Sequence, residues 1–445
     1  MSTVAQLRLF SWEEVDRSEP IALLERTLDG LPDELLLERL AGERKGKRDD
    51  YPVRCLWRAF VTGAMLGHRT RADLIAELRR NAELRAVCGF DPARGTAGVP
   101  RDWVFSRFAK KLRRHQALID AMFETMVERL GEHLPDLGRA QAVDSKALVV
   151  RGRKPADAQV GTKTYESVQE DGTVRQSEVK WFGYKLHLLI DTTYEMPLAW
   201  KVTEATRADS PELMPLVEHL EKKHLSIHER ARTLAADKGY DDGADKTDLY
   251  ENHGTTPLIP PRDLLSGKGG SRMRPLDERR SDTIYIGPQG EVACKIDPFE
   301  PDESKAFTDM QFQGHEAKRG KLKFRCPAAA FGLECKNREA CRCKPRVRDG
   351  KNGRIVRIAL ERDPRIFLPV HFRSHTFARL YKGRTAVERV NARLDRVHGL
   401  EWALVDSRAA MTLRVSLSLL AMLASATAWI EAERPDQMRR LLRAA

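Results

Sequence analysis

The order of apolar segments between residues 141 and 260 constrains the fold more than any other feature of this chain. Stretches at 141–150, 185–191 and 198–203 carry strand patterns. A helical segment follows at 211–224, where Leu213, Leu216, Val217 and Leu220 share a face. A short strand at 232–236, a helix at 246–253 and a strand at 256–259 complete the series. A run of strands followed by strands alternating with helices predicts an α/β core, and excludes a bundle or a sandwich. The polar, glycine-containing stretch 161–176 predicts a hairpin or loop.

The flanks differ from this core. Residues 1–50 form an N-terminal arm that ends in a charge run at 43–50. Helical periodicity follows at 53–66, 71–84, 103–115 and 117–134, broken at 89–98 around Pro92. Helical order returns after Pro369, at 377–397 and 411–430. The expected organisation is therefore an arm (1–50), a helical domain (51–137), a first core part (138–261), a basic insertion (262–365), a second core part (366–430) and a basic tail (431–445). No repeat of about 20–50 residues is present in the sequence.

Charge and composition narrow the function. The 445 residues are 41% hydrophobic, which is enough to bury a core. Lys and Arg number 77 against 65 Asp and Glu, a net +12. Residues 262–365 hold 24 basic and 16 acidic residues, a net +8, and 318–357 hold 14 basic against 3 acidic. Such one-signed density favours a polyanion partner. The apolar stretch 415–430 is shorter than the roughly 20 residues a membrane span needs, and the first residues lack a signal-peptide pattern. The sequence reads as a cytoplasmic protein without a membrane partner. Seven cysteines, unevenly spread, do not look like a disulfide framework.

Three carboxylates stand out by context. Asp144 sits among Val143, Leu148, Val149 and Val150, where an ionised group is costly unless it is used. Asp237 closes an apolar strand in Ala236-Asp237-Lys238-Gly239-Tyr240-Asp241, with Gly239 suited to a sharp turn. Carboxylates at adjacent strand ends can converge on a hard cation, although each alone reads equally well as a cap. On the helix at 377–397, Tyr381, Arg384 and Glu388 project from one face at about 100° per residue. Arg384 is placed to orient Glu388 or to grip a phosphate; alone, the pattern is also that of an amphipathic helix with an ion pair. His187 and the tryptophans Trp181 and Trp200 read as packing residues, and 267–270 is not a phosphate-binding loop.

Together, Val143-Asp144-Ser145-Lys146, the Ala236 to Asp241 run and Tyr381-x2-Arg384-x3-Glu388-Arg389 resemble the DDE transposases of bacterial insertion sequences. Val99-Pro100 through Phe105-Ser106-Arg107-Phe108 resembles their helical N-terminal domain. The resemblance covers roughly residues 50–430 apart from the insertion. It implies an RNase H-like catalytic core in which Asp144, Asp237 and Glu388 hold two Mg²⁺ ions, replaceable by Mn²⁺, about 3.5–4 Å apart. It implies hydrolysis of a phosphodiester and attack of the freed 3′-hydroxyl on target DNA, with Tyr381 and Arg384 contacting DNA. The implied partner is double-stranded DNA, both element ends and target, with a homodimer holding two ends. The family signature ends with a lysine seven residues after the glutamate. That place is Asp395 here, and Arg396 beside it, about 80° around the helix from Glu388, is the expected substitute.

Within the basic regions, Arg107, Lys110 and Lys111 lie on a helix able to enter a major groove. Lys318, Arg319, Lys321 and Lys323 are expected to meet phosphates without sequence preference. Cys326, Cys335, Cys341 and Cys343 crowd into 18 residues and suit a structural Zn²⁺, with Cys294 or His315 able to replace one ligand. Cys55 and Cys88 read as core residues. The resulting function is DNA end binding, metal-dependent cleavage and strand transfer. The alternatives are a metal-dependent nuclease without strand transfer and a non-catalytic DNA-binding derivative.

Overall fold

A computed structural model of the chain describes residues 19–43, 52–168, 174–262, 272–277, 283–341 and 353–440. Helices precede the sheet: α1 (Glu19–Asp29), α2 (Glu34–Gly42), α3 (Val53–Met65), α4 (Arg71–Arg80), α5 (Ala82–Cys88), α6 (Asp102–Arg114) and α7 (Gln116–His133). The helix expected over 71–84 is two helices. Asn81 turns extended, and its side chain accepts the Leu84 N–H to start α5. Thr70 and Asp73 close a capping box on α4.

The strands are β1 (Ala140–Val149), β2 (Gln159–Val168), β3 (Val174–Asp191), β4 (Met196–Glu204), β5 (Thr233–Ala235) and β6 (Thr256–Leu258). β3 runs antiparallel to both β1 and β4, whereas β5 and β6 run parallel to β1. The first half of β3 pairs with β2 as a two-stranded arm. This arm is the hairpin that the expectation of a hairpin or loop at 161–176 allowed for, and it runs on to Gly183 through a polar stretch where Glu178 and Lys180 are exposed. α8 (Leu213–Lys223), α9 (Leu225–His228) and α10 (Gly243–Glu251) link β4, β5 and β6.

The insertion departs from its expectation of a loop-rich segment. It forms two small antiparallel sheets. One joins β7 (Arg274–Pro275), β8 (Ile284–Ile286), β9 (Val292–Lys295) and β10 (Phe307–Asp309). The other joins β11 (Gln311–Glu316), β12 (Lys321–Arg325) and β13 (Ile355–Ala359). Short helical turns α11 (Glu303–Ala306) and α12 (Pro327–Phe331) connect them. Ile284, Ile286, Val292, Leu322, Phe324, Val356 and Ile358 pack into a separate core. Strands this short, separated by glycine and proline, leave no readable period.

Both ends of the insertion are held by one buried carboxylate. Asp241 Oδ2 accepts the Arg262 backbone N–H at 2.6 Å and Arg365 Nη1 at 3.0 Å. Its Oδ1 accepts Lys246 Nζ at 2.5 Å, and that ammonium also donates to the Arg365 carbonyl at 2.8 Å. The insertion thus leaves and re-enters the core beside the turn that carries Asp237.

After it come α13 (His375–Tyr381), α14 (Thr385–Arg396) and α15 (Arg408–Glu431). α15 is the one described helix long and apolar enough to cross a membrane, yet 78% of its apolar window is buried inside the protein. Val415, Leu419, Leu420 and Leu423 share a core with Leu24, Leu28, Leu36 and Leu40 from α1 and α2, with Trp57 and Phe105, and with the sheet residues Val143, Leu188 and Leu234. Residues 19–42 are therefore integral to the main core.

Candidate active site

Asp144 stands opposite Leu188 across the β1–β3 register and is 9% exposed. Its Oδ1 accepts the Ser145 N–H at 2.8 Å. Burial, reinforced by Asp237 and opposed by Lys163 and Arg384, pushes its carboxyl up to about 6. Asp237 follows β5, the parallel neighbour of β1, and caps the turn Lys238–Tyr240 by accepting the Gly239 N–H at 2.7 Å. A Cβ on Gly239 would stand 2.8 Å from Asp237 Oδ1, so a side chain there would push that carboxylate aside. Burial pushes the Tyr240 hydroxyl well above its ordinary range, aided by Asp209, Asp144 and Asp237.

The continuous helix expected at 377–397 is interrupted. α13 ends at Tyr381, a tight turn spans Lys382–Arg384, and α14 begins at Thr385. Gly383 in that turn faces Thr192, whose Oγ1 would lie 3.5 Å from an added Cβ. The interruption leaves Arg384 between two acids. Its Nη1 lies 3.6 Å from Asp144 Oδ2, and its Nη2 lies 2.6 Å from Glu388 Oε1. Its guanidinium is also 5.9 Å from the Tyr381 ring. Burial, then Asp237 and Asp144, push the Tyr381 hydroxyl up. Glu388 itself is half-exposed and opens the group to solvent.

Two contacts hold α14 in place. Glu195, buried in the β3–β4 turn at φ 58°, accepts Arg389 Nε at 2.6 Å and Arg439 Nη1 at 3.1 Å. Arg393 Nη2 lies 3.5 Å from its Oε2. Lys146, two residues beyond Asp144 on β1, pairs with Asp395. Arg396 is exposed on the last turn of α14.

The other expected residues divide. On α6, Arg107 and Lys110 are exposed, and the Arg107 guanidinium lies 5.0 Å from the ring of exposed Trp103. Lys111 is half-buried and lies 3.5 Å from Glu43, so it does not join that row. Lys318 and Arg319 sit in the turn before β12, and Lys321 and Lys323 point outward from it, opposite Ala359 and Arg357. Glu316 partly offsets this charge by pairing with Arg357 and Arg319. Cys326, Cys335 and Cys341 are half-buried. Burial, then Cys335, Cys326 and Cys341, push the Cys294 thiol up to about 12. Cys343 lies outside the described residues. His187 is buried against Thr203 at 2.9 Å, Trp181 donates to the Tyr184 carbonyl, and Trp200 packs edge-on to Phe123.

Sequence reasoning did not single out Asp209, Lys163 or the basic run Arg151-Gly152-Arg153-Lys154, although the last was visible as charge density after a strand. It also missed Glu221, His228 and His253, whose ligand atoms lie within 4.8 Å of one another.

A mixed sheet that gathers oxygen donors around one guanidinium suits a protein that handles cations and phosphate. The transposase DDE domain family matches residues 136–424, and the chain belongs to that family. The match begins just before β1 and ends within α15. A cryo-EM structure of a piggyBac transposase synaptic complex with hairpin DNA is similar with a TM-score of 0.37 at 10% identity, covering 97% of this chain and 81% of that one. A likeness that loose does not define the fold. No curated protein matches this chain.

Proposed function

We propose that this chain is a DDE transposase of an insertion sequence, binding the element's ends and catalysing metal-dependent cleavage and strand transfer. The observation that carries the reading is the position of Arg384 between Asp144 and Glu388, with Asp237 close enough to raise the Asp144 carboxyl. The strand order β4-β3-β1-β5-β6, with its antiparallel first three and parallel last two members, supports an RNase H-like core.

The donor set fits hard divalent cations: it is all oxygen, and two of its three members already flank one cationic group. Two Mg²⁺ ions held by Asp144, Asp237 and Glu388 would activate the attacking oxygen and stabilise the leaving one. The protein's own groups do the rest. Asp144 would serve as the carboxylate, the form that predominates above about pH 6. Arg384, released from the carboxylates, turns its fork toward a phosphate, a bidentate match that a lysine would not supply. Tyr381 lies beside it to contact the same strand. The Glu195 and Lys146 contacts fix α14 against the sheet and so steady the helix that carries Glu388.

Arg107 and Lys110 on α6 are assigned to end recognition, together with Lys111 once freed from Glu43. Lys318, Arg319, Lys321 and Lys323 are assigned to sequence-independent phosphate contact, and Arg396 to the strand beside Glu388. Cys326, Cys335 and Cys341, with Cys343 or Cys294, are assigned to a structural zinc. A homodimer would hold two ends on chromosomal DNA in the cytoplasm.

The test is incubation of purified protein and Mg²⁺ with duplexes carrying the DNA that flanks the gene on each side. Nicked and joined products support the reading. Nicks without joined products leave a nuclease, and binding without either leaves a DNA-binding derivative.

A further inference from the structure

Trp402 stands on the surface with two arginines against its ring. The guanidinium carbons of Arg69 and Arg151 each lie 4.8 Å from the indole centroid, and all three residues are exposed. They come from three parts of the chain: the α3–α4 connection, the residues after β1, and the turn Leu400–Trp402. Backbone contacts fix each one. Val150 bridges Ala403 in parallel, and the Arg151 N–H donates to the Ala403 carbonyl at 3.0 Å. Arg414 donates to the carbonyls of Arg69 at 2.9 Å and Gly399 at 2.6 Å, tying the first segment to the third.

Nearby carboxylates are engaged elsewhere. Asp406 pairs with Arg113 at 2.7 Å, and Asp157 accepts the Tyr184 hydroxyl at 2.6 Å and the Arg408 N–H at 2.8 Å. Glu401, the acid next in sequence, is exposed to water. The basic run continues through Arg153 and Lys154, and Lys154 Nζ lies 5.2 Å from the Phe182 ring. Arg71, two residues on from Arg69, reaches Asp102 at the start of α6 at 3.9 Å, so this patch adjoins the helix bearing Trp103, Arg107 and Lys110.

Stacking uses the flat face of a guanidinium and leaves its N–H fork in the ring plane for other partners. An arginine already stacked also loses less freedom when it binds. Two such forks held by one ring, with Arg153 and Lys154 following in the chain, suit backbone phosphates. We propose that Arg69, Trp402 and Arg151 form a phosphate clamp for duplex DNA. The clamp rests on the transposase reading above and extends it to a surface outside the acidic site. It also carries a distance. Arg151 lies seven positions from Asp144, two of them past the end of β1, so the two are at most about 23 Å apart at about 3.3 Å per residue. That is at most about seven base pairs of duplex at about 3.4 Å each.

The test uses the full chain, a short duplex of arbitrary sequence and a salt series. Arg69→Gln and Arg151→Gln should each flatten the log–log salt dependence of binding by up to about one unit. Trp402→Ala should weaken binding several-fold while keeping most of the slope, and Trp402→Phe should restore it. Thermal midpoints equal to the parent's show that the variants fold. Parental affinity and slope in both glutamine variants would overturn the clamp. Mg²⁺-dependent cleavage by the parent is read separately: slope loss without any cleavage keeps the clamp and removes the transposase reading, and cleavage with unchanged slopes does the reverse.

Discussion

Lys146 Nζ lies 2.5 Å from Asp395 Oδ2, joining the strand that carries Asp144 to the helix that carries Glu388. Position 395 is where the related signature places a lysine. Here the cation comes from the strand and the helix supplies its counter-ion. Asp395→Ala should therefore destabilise the fold by about 1–2 kcal/mol, since it leaves a largely buried ammonium unpaired. The swap Lys146→Asp with Asp395→Lys should recover most of that loss in urea denaturation. A double mutant no more stable than the single one would dismiss the pair.

Asp144→Ala, Asp237→Ala and Glu388→Ala should each abolish Mg²⁺-dependent cleavage and leave duplex binding within a few-fold of the parent. Gel-shift and cleavage assays on the same preparations check this. Full activity in any one variant removes that residue from the site.

The Asp144 carboxyl, raised to about 6 from 3.8, makes a pH prediction with a definite sign. Between those values the folded chain keeps a proton that the unfolded chain releases, so this residue's contribution to stability is lost as pH rises through that window. Asp144→Asn should thus stabilise the metal-free protein at pH 7, by on the order of 1–3 kcal/mol. The difference should vanish below about pH 4. Thermal unfolding across that range decides it, and a pH-independent difference would refute it.

Glu195 gathers Arg389, Arg393 and Arg439 while itself buried. Glu195→Gln should cost about 2–4 kcal/mol, because the largely buried Arg393 loses its counter-charge. Cleavage should fall further than DNA binding, since α14 carries Glu388. Equal losses in both assays would indicate general unfolding instead.

Protein purified without added metal should contain about one zinc per chain, bound through the cysteine group. Changing Cys326 and Cys335 to serine should release it, as elemental analysis would reveal. Metal-free protein with freely titrating thiols and an intact insertion would contradict the assignment.

The strand and helix order around Asp144 and Asp237 was legible because buried strands leave apolar runs and a glycine marks the turn after β5. The break between α13 and α14 was not, because one glycine in a helical pattern is usually tolerated. Its effect depends on Arg384 meeting Asp144, 240 positions away. The insertion's sheets were hidden for a different reason. Their strands satisfy one another across long separations, so Leu322 and Phe324 acquire a core only when Val356 and Ile358 arrive. Trp402 likewise reads as an isolated aromatic until Arg69 and Arg151 are folded onto it.

Asp241 gives the insertion a mechanical role. Its entering and returning strands are pinned at a single carboxylate, four positions from Asp237. A pull on the insertion would reach the core at this carboxylate, through the short turn between the two aspartates. The insertion is thereby hinged on the same few residues that position Asp237.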